Sequence, residues 1–200
     1  MFLPLSKEID NQKLIQNINI IKNEYLTFLK NQYFVDYSHE QELTFSPELF
    51  PYKSTKTGYF WQVCPLVFDK MIPNFLSKDI SESFTARLIM GFNIKPVLAV
   101  FSMLEPGSIV EPHFDSDNHI GNLGKKKSTV VKYHFSIDIP DEGECALQVL
   151  NEKRILKNGD INPFDETKIH SAYNKSCNRR GVLIISYLKN ELYPIKPVSL

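Results

Sequence analysis

The sequence predicts a mainly β fold of the α+β kind, with helices on its N-terminal side, and three observations predict it. Helical periodicity is confined to the first half of the chain. From Pro96 onward, short apolar runs rich in β-branched and aromatic residues recur instead. Turn signals separate them, at Pro106-Gly107, Asp141-Glu142-Gly143 and Asn158-Gly159-Asp160. Short strands at this spacing argue for a sandwich or barrel rather than a parallel sheet with crossover helices. The expected architecture is a jelly roll, a double-stranded β-helix of the cupin-like kind, with the N-terminal helices packed on it.

The elements follow in order. Over 11–30, Leu14, Ile18, Ile21, Tyr25 and Phe28 recur at steps of four and three, as one helix face requires. Pro47 and Pro51 break that pattern, and Thr57-Gly58 marks a turn before Tyr59, Phe60 and Trp61. This aromatic run reads as a core cluster, with a substrate mouth as the alternative. A second helix is expected over 68–76, although it contains Pro73, and a third over 83–92. Strands are expected over 97–104, 129–139, 146–150, 154–156 and 182–188. No repeat, low-complexity tract or linker divides the 200 residues, so one domain is expected over 1–200. Within it, 1–95 forms a helical and irregular part and 96–190 the jelly-roll core.

Composition narrows the function. Apolar residues make up 42% and aromatics 12%, which excludes disorder. Lysine plus arginine equals aspartate plus glutamate, 23 against 23, without the basic excess of a nucleic-acid binder. A small-molecule, amino-acid, peptide or lipid partner is the class left. Cys64, Cys145 and Cys177 form no CxxC pair, so neither a zinc knuckle nor a disulfide framework is indicated. Buried free thiols in a reducing cytoplasm are expected instead. The segment MFLPLSKEIDNQ is no signal peptide, and no run of about 18 apolar residues spans a membrane. A cytoplasmic location follows as an expectation, and the oligomeric state stays open.

Glu111-Pro112-His113-Phe114-Asp115, followed by the distant His170, is the segment that carries chemistry. On an extended strand, residues i and i+2 point to the same side. His113 and Asp115 can thus aim at one point, and another strand can deliver His170 to complete a facial triad. Two imidazoles and one carboxylate on one face leave three open positions, the arrangement of non-haem Fe(II) oxygenases. Either histidine alone, or the HxD triplet alone, reads as surface. Arg180 follows His170 by ten positions, just before an apolar run. A dicarboxylate cosubstrate needs a permanent cation with a bidentate fork, which is what arginine provides. Arg179 reads as an exposed loop residue, and Asp117 as a weaker alternative ligand. Lys132 and His134 share one face of a strand, opposite Tyr133 and Phe135, and so suggest a polar interior pocket. His39 and His119 read as surface residues. Lys125-Lys126-Lys127 reads as a solvated hairpin tip, with contact to an anionic substrate as the alternative.

These motifs resemble the aspartyl/asparaginyl β-hydroxylase family, whose bacterial members include lipid A acyl-chain hydroxylases. The resemblance runs from about Thr57 to Pro194. Ser102-Met103-Leu104-Glu105-Pro106-Gly107-Ser108, leading to Glu111-Pro112-His113, looks like the family's Ser-x-x-x-Pro-Gly-Thr lead into its first histidine. Lys132-Tyr133-His134-Phe135-Ser136-Ile137 resembles its Arg-x-His-Leu-Gly-Leu strand. Asp165-Glu166-Thr167-Lys168-Ile169-His170 is similar to the bacterial Asp-Glu-Thr-x-x-His, and Arg180-Gly181-Val182-Leu183-Ile184 to the family's arginine and following strand. The resemblance implies that His113 and His170 ligate Fe(II), that Ser102, His134 and Arg180 contact 2-oxoglutarate, and that O2 is the oxidant. Lys132 stands where the family has a cosubstrate-binding arginine, and keeps its charge without its fork. Some animal members have glycine where this chain has Asp115, so Asp115 groups it with members that retain the carboxylate.

The function expected is therefore Fe(II)- and 2-oxoglutarate-dependent hydroxylation of an aspartyl, asparaginyl or other amino-acid or peptidyl substrate. A fatty-acyl hydroxylase of the same family, a catalytically silent jelly-roll binding module and a cupin-like enzyme using another metal are the rivals. The last leaves Ser102, His134 and Arg180 without a purpose.

Overall fold

A computed structural model describes residues 1–36, 61–115 and 129–194. The expectations for Pro47, Pro51, Thr57-Gly58, His39, Tyr59, Phe60, Asp117, His119 and Lys125-Lys126-Lys127 lie outside them.

The periodic N-terminal segment forms two helices, α1 (Asn11–Gln16) and α2 (Ile18–Lys30), not one. Asn17 between them departs from helical geometry at φ −103° and ψ 12°. Its amide donates back to the Lys13 carbonyl at 2.8 Å, the local bond by which asparagine competes with helix continuation. Leu14, Ile21, Tyr25 and Phe28 are nonetheless buried, as their spacing requires, with Ile18 partly so.

β1 (Val35–Asp36) is a two-residue strand. β2 (Trp61–Phe68) corrects the sequence reading twice. It is a strand within the part expected to be helical and irregular, and it ends where a helix over 68–76 was expected. Asp69 and Lys70 take positive φ values of 47° and 62°, turning the chain back so that Phe68 bridges Met71. A left-handed pair followed by Pro73 leaves no room for a helix. Helix returns as the single turn α3 (Lys78–Ser81) and as α4 (Phe84–Met90), where it was expected. The Ser83 hydroxyl caps α4 by accepting from the Ala86 N–H at 3.1 Å.

β3 (Leu98–Leu104), β5 (Val130–Asp138), β6 (Cys145–Val149) and β10 (Arg180–Leu188) fall on the apolar runs, while β7 (Glu152–Ile155) overlaps the expected 154–156 only at Arg154 and Ile155. β4 (Ile109–His113), β8 (Ile161–Asp165) and β9 (His170–Asn174) carry polar residues or proline and so lack that signature. α5 (Lys189–Leu192) ends the described chain. The strands form a six-stranded sheet, β1-β2-β3-β10-β5-β8, and a four-stranded sheet, β4-β9-β6-β7. Every pairing is antiparallel. The two sheets facing each other make the expected double-stranded β-helix.

Period-two alternation gives the larger sheet two different faces. On β3, Ala99, Phe101 and Met103 pack with the helices, while Val100 and Leu104 pack against the smaller sheet. On β10, Leu183, Ile185 and Tyr187 take the helix side, and Val182 and Ile184 the other. Tyr133 and Phe135 also belong to the helix side, so Lys132 and His134 on β5 enter the space between the sheets. Cys64 and Cys145 are buried free thiols, but Cys177 is exposed, contrary to expectation, because it lies in the loop between β9 and β10. Among the described residues, no helix is long and apolar enough to cross a membrane.

Helix α2 and β10 meet closely at Gly181. A Cβ there would come within 2.6 Å of Tyr25 Cζ. The Tyr25 ring is itself held edge-on by Phe34 and Phe101, at centroid distances of 5.6 and 5.7 Å, and cannot step aside. Gly181→Ala is therefore expected to destabilise the fold by about 1–3 kcal/mol. Urea denaturation measures this directly, and an unchanged midpoint would refute the close contact.

Candidate metal centre and anion pocket

β4 and β9 pair so that His113 stands directly opposite His170. Their ring centroids are 4.2 Å apart. Asp115 reaches the same place by a route the strand argument did not foresee. β4 ends at His113, and the Asp115 N–H is held beyond it by the Glu166 carbonyl at 3.1 Å. The Asp115 carboxylate then lies 3.9 Å from His113 Nε2 and 3.3 Å from His170 Nε2. One ligand atom from each of the three falls within 4.8 Å of the others.

Both imidazoles are oriented by backbone. His113 Nδ1 lies 2.7 Å from the Glu111 carbonyl, and His170 Nδ1 lies 2.8 Å from the Lys168 carbonyl. A carbonyl only accepts, so each Nδ1 carries a hydrogen, and Nε2 is the ring atom turned towards the site. Burial works against charge on Asp115, but the Lys132 ammonium and His170 outweigh it and hold the carboxyl well below its usual range. Two imidazole nitrogens and an ionised carboxylate form a donor set that fits a divalent first-row ion such as Fe(II).

A pocket opens from the histidines into the space between the sheets. Ser102, Lys132, His134 and Arg180 line it, together with Trp61 and the apolar Leu104, Val110, Leu147 and Ile184. All four residues singled out from sequence for the cosubstrate thus meet beside His113 and His170. The pairing Trp61 Nε1–H to Ser102 Oγ, 2.8 Å, puts this aromatic in the pocket wall rather than in the helix-side core. Arg180 is 2% exposed, and burial lowers its pKa only to about 10, so it stays charged at neutral pH. Among the described residues, its Nε and Nη2 find no partner, nor does His134 Nδ1. Burial, assisted by the Arg180 and Lys132 charges, keeps His134 neutral. Unpaired donors on a buried cation are a standing capacity for an anionic group. Arg179 is half exposed and pairs with Glu105 at 2.9 Å, the surface role expected of it.

A family model described as Aspartyl/Asparaginyl beta-hydroxylase matches residues 15–190. The chain belongs to the aspartyl/asparaginyl β-hydroxylase family. No curated protein matches it significantly in sequence. Among solved structures it is similar to KdgF from Halomonas sp., at 12% identity and a TM-score of 0.40, over 67% of this chain and 84% of that one. A predicted oxalate decarboxylase from Thermotoga maritima matches at 18% identity and a TM-score of 0.37, over 64% and 80%. A double-stranded β-helix protein from Klebsiella pneumoniae matches at 16% and 0.33, over 48% and 76%.

Three residues of this family member's site escaped the sequence reading. Phe164 on β8 packs its ring 4.8 Å from His170 and 5.3 Å from His134, and reads in sequence as ordinary core. Glu166 is buried beside Lys132, its Oε2 3.6 Å from Nζ, and burial pushes its carboxyl up to about 7 despite that cation. Only its place within the second-histidine motif hinted at it. Asn174 is fully buried at the end of β9 and fastens the loop that delivers Arg180. Its Nδ2 donates to the carbonyls of Leu104, Glu105 and Asn178 at 2.8–3.2 Å, and its Oδ1 accepts from Ser176 N and Oγ. Asn174→Ala strands several buried groups at once and is expected to cost about 2–3 kcal/mol. A thermal melt tests this; a loss within experimental error of zero would mean the loop does not depend on Asn174.

Proposed function

We propose that the protein is an Fe(II)- and 2-oxoglutarate-dependent dioxygenase that hydroxylates an unactivated carbon of an aspartyl, asparaginyl or other amino-acid or peptidyl substrate. The observation that carries this reading is a two-histidine, one-carboxylate donor set whose histidines line the same pocket as a buried arginine with unpaired donors. Family membership supports hydroxylation as the reaction.

In this reading His113, Asp115 and His170 hold the metal, through the two Nε2 lone pairs and one carboxylate oxygen. When bound, Fe(II) would supply the activation of O2 and the oxidation of a C–H bond, coupled to decarboxylation of 2-oxoglutarate to succinate and CO2. The protein's part is binding and orientation. Arg180 grips the distal carboxylate of 2-oxoglutarate with the two donors that its surroundings leave open. Ser102 Oγ already accepts from Trp61, so its own hydrogen is available to the same carboxylate. Neutral His134 can give one N–H to the cosubstrate without adding charge. The resemblance would place Lys132 here as well, but its ammonium is paired with Asp115. Leu104, Val110, Leu147 and Ile184 keep water from the reacting atoms.

A fatty-acyl substrate is the second reading. Phe114, 62% exposed, and Ile169, 53% exposed, adjoin His113 and His170 in the chain and offer an apolar edge to an acyl chain. A mass-shift screen of peptides, amino acids and acyl compounds for a gain of one oxygen separates the two.

His113→Ala and His170→Ala are each expected to abolish succinate production in the presence of Fe(II), 2-oxoglutarate and O2. Normal succinate output from either would sink the ligand assignment, and none from the unaltered protein would favour the silent binding module. Arg180→Ala is expected to raise the apparent KM for 2-oxoglutarate by about 10- to 100-fold, the loss of one charge-assisted pair. An unchanged KM would remove Arg180 from the site.

A further inference from the structure

We propose that Lys132 is a positioning residue for the Asp115 carboxylate, anchored by Glu166, and not a ligand of the cosubstrate. The inference rests on the metal-centre reading above.

Asp115 needs such support because no strand holds it. It lies past the end of β4, and among the described residues its backbone is tied by the N–H to the Glu166 carbonyl at 3.1 Å. Its side chain is tied by Lys132, whose ammonium forms an ion pair with Oδ2. The same ammonium lies 3.6 Å from Glu166 Oε2, and both carboxylates are buried, with side-chain exposures of 4% for Asp115 and 5% for Glu166. Glu166 therefore holds Asp115 twice, directly through its carbonyl and indirectly through Lys132. Oδ2, engaged by Lys132, also lies 3.3 Å from His170 Nε2, while Oδ1 faces His113 Nε2 at 3.9 Å, so the ammonium sets how the carboxylate is turned towards both histidines.

The division of labour with Arg180 follows from side-chain chemistry. An ammonium is a compact point charge that can serve two carboxylates at once, but it has no planar fork for a bidentate bond. Arg180 has that fork, and two of its donors have no partner among the described residues. Glu166 and Asp115 flank the same ammonium, so Lys132 is held in place from two sides. Its contribution is geometric, the kind an outer partner makes to a metal ligand, where loss typically weakens metal affinity by about 10- to 100-fold.

The test is Mn(II) binding to the full chain by calorimetry at pH 8, followed by titration of the Mn(II)-loaded protein with 2-oxoglutarate. Lys132→Met is expected to weaken Mn(II) binding by about tenfold or more while 2-oxoglutarate affinity stays within about threefold. Lys132→Arg, which keeps the cation, should restore most of the Mn(II) affinity. Glu166→Gln should weaken Mn(II) binding in part, and adding it to Lys132→Met should cause no further loss, because the two act through one contact. Glu166→Gln also carries the test if Lys132→Met fails to fold. Unchanged or tighter Mn(II) binding in Lys132→Met overturns the proposal. So does a tenfold loss of 2-oxoglutarate affinity with Mn(II) binding intact. If His113→Ala loses Mn(II) but Lys132→Met does not, the positioning role fails and the metal centre stands. If the unaltered protein binds no Mn(II), both fall.

Discussion

The antiparallel register that sets His113 on β4 opposite His170 on β9 is the constraint on which the site depends. Directly opposed residues on an antiparallel pair share a face, which lets two imidazoles separated by more than fifty residues of chain meet side by side. The rest of the donor geometry follows from backbone near that pair. Carbonyls of Glu111 and Lys168, each two residues before its histidine, orient both rings in the same sense. A slip of one residue in this register would turn one imidazole outward and dissolve the arrangement. The smaller sheet is thus a device for register, and β6, which pairs with β9 along its whole length, keeps it there.

The larger sheet solves a different problem, that of housing charged and polar groups within an apolar body. One face packs with α1, α2 and α4 and is lined by apolar and aromatic side chains along β3, β5 and β10. The other carries Ser102, Lys132, His134 and Arg180 among Val100, Val182 and Ile184. Because alternation fixes which side chains share a face, the polar residues converge without any special loop. Helix packing on the far side holds the sheet that presents them, and Gly181 is where the two functions touch: it follows Arg180 and admits the Tyr25 ring.

Much of this was legible in the sequence, and the reasons it was legible are physical. β3, β5 and β10 are central, covered on both sides, and therefore read as apolar runs with β-branched and aromatic residues. Lys132 and His134 stood out because a cation and an imidazole on such a strand must face something polar. β8 and β9 were not legible as strands, since Asn162, Pro163, His170 and Asn174 are chosen by the site and the loop rather than by the sheet. β2 hid behind Pro65, at which the pairing with β3 shifts register. The approach of Asp115 was misjudged for a related reason. Strand periodicity suggested that it shares a face with His113, whereas a hydrogen bond from a distant segment, Glu166, brings it there. Long-range ties of this sort leave no local pattern, and Asn174, whose partners lie about seventy residues upstream as well as nearby, is the same case.

The site also keeps a deliberate imbalance. Asp115, Lys132 and Glu166 satisfy one another in a buried cluster, where breaking one member would leave an uncompensated charge. Arg180 is different: it is as deeply buried, yet two of its donors lack partners among the described residues. Unpaired buried donors cost free energy in the folded protein, on the order of 1–3 kcal/mol each. The hydrophobic walls on both sides of the sheet can absorb that cost, and an anion that binds Arg180 cancels it. Affinity for such an anion and stability of the fold are therefore linked through the same guanidinium, because a ligand that binds only the folded chain stabilises it by RT ln(1 + [L]/Kd). The group that makes this fold less stable than its packing alone would allow is thus also one whose open donors an anion can satisfy.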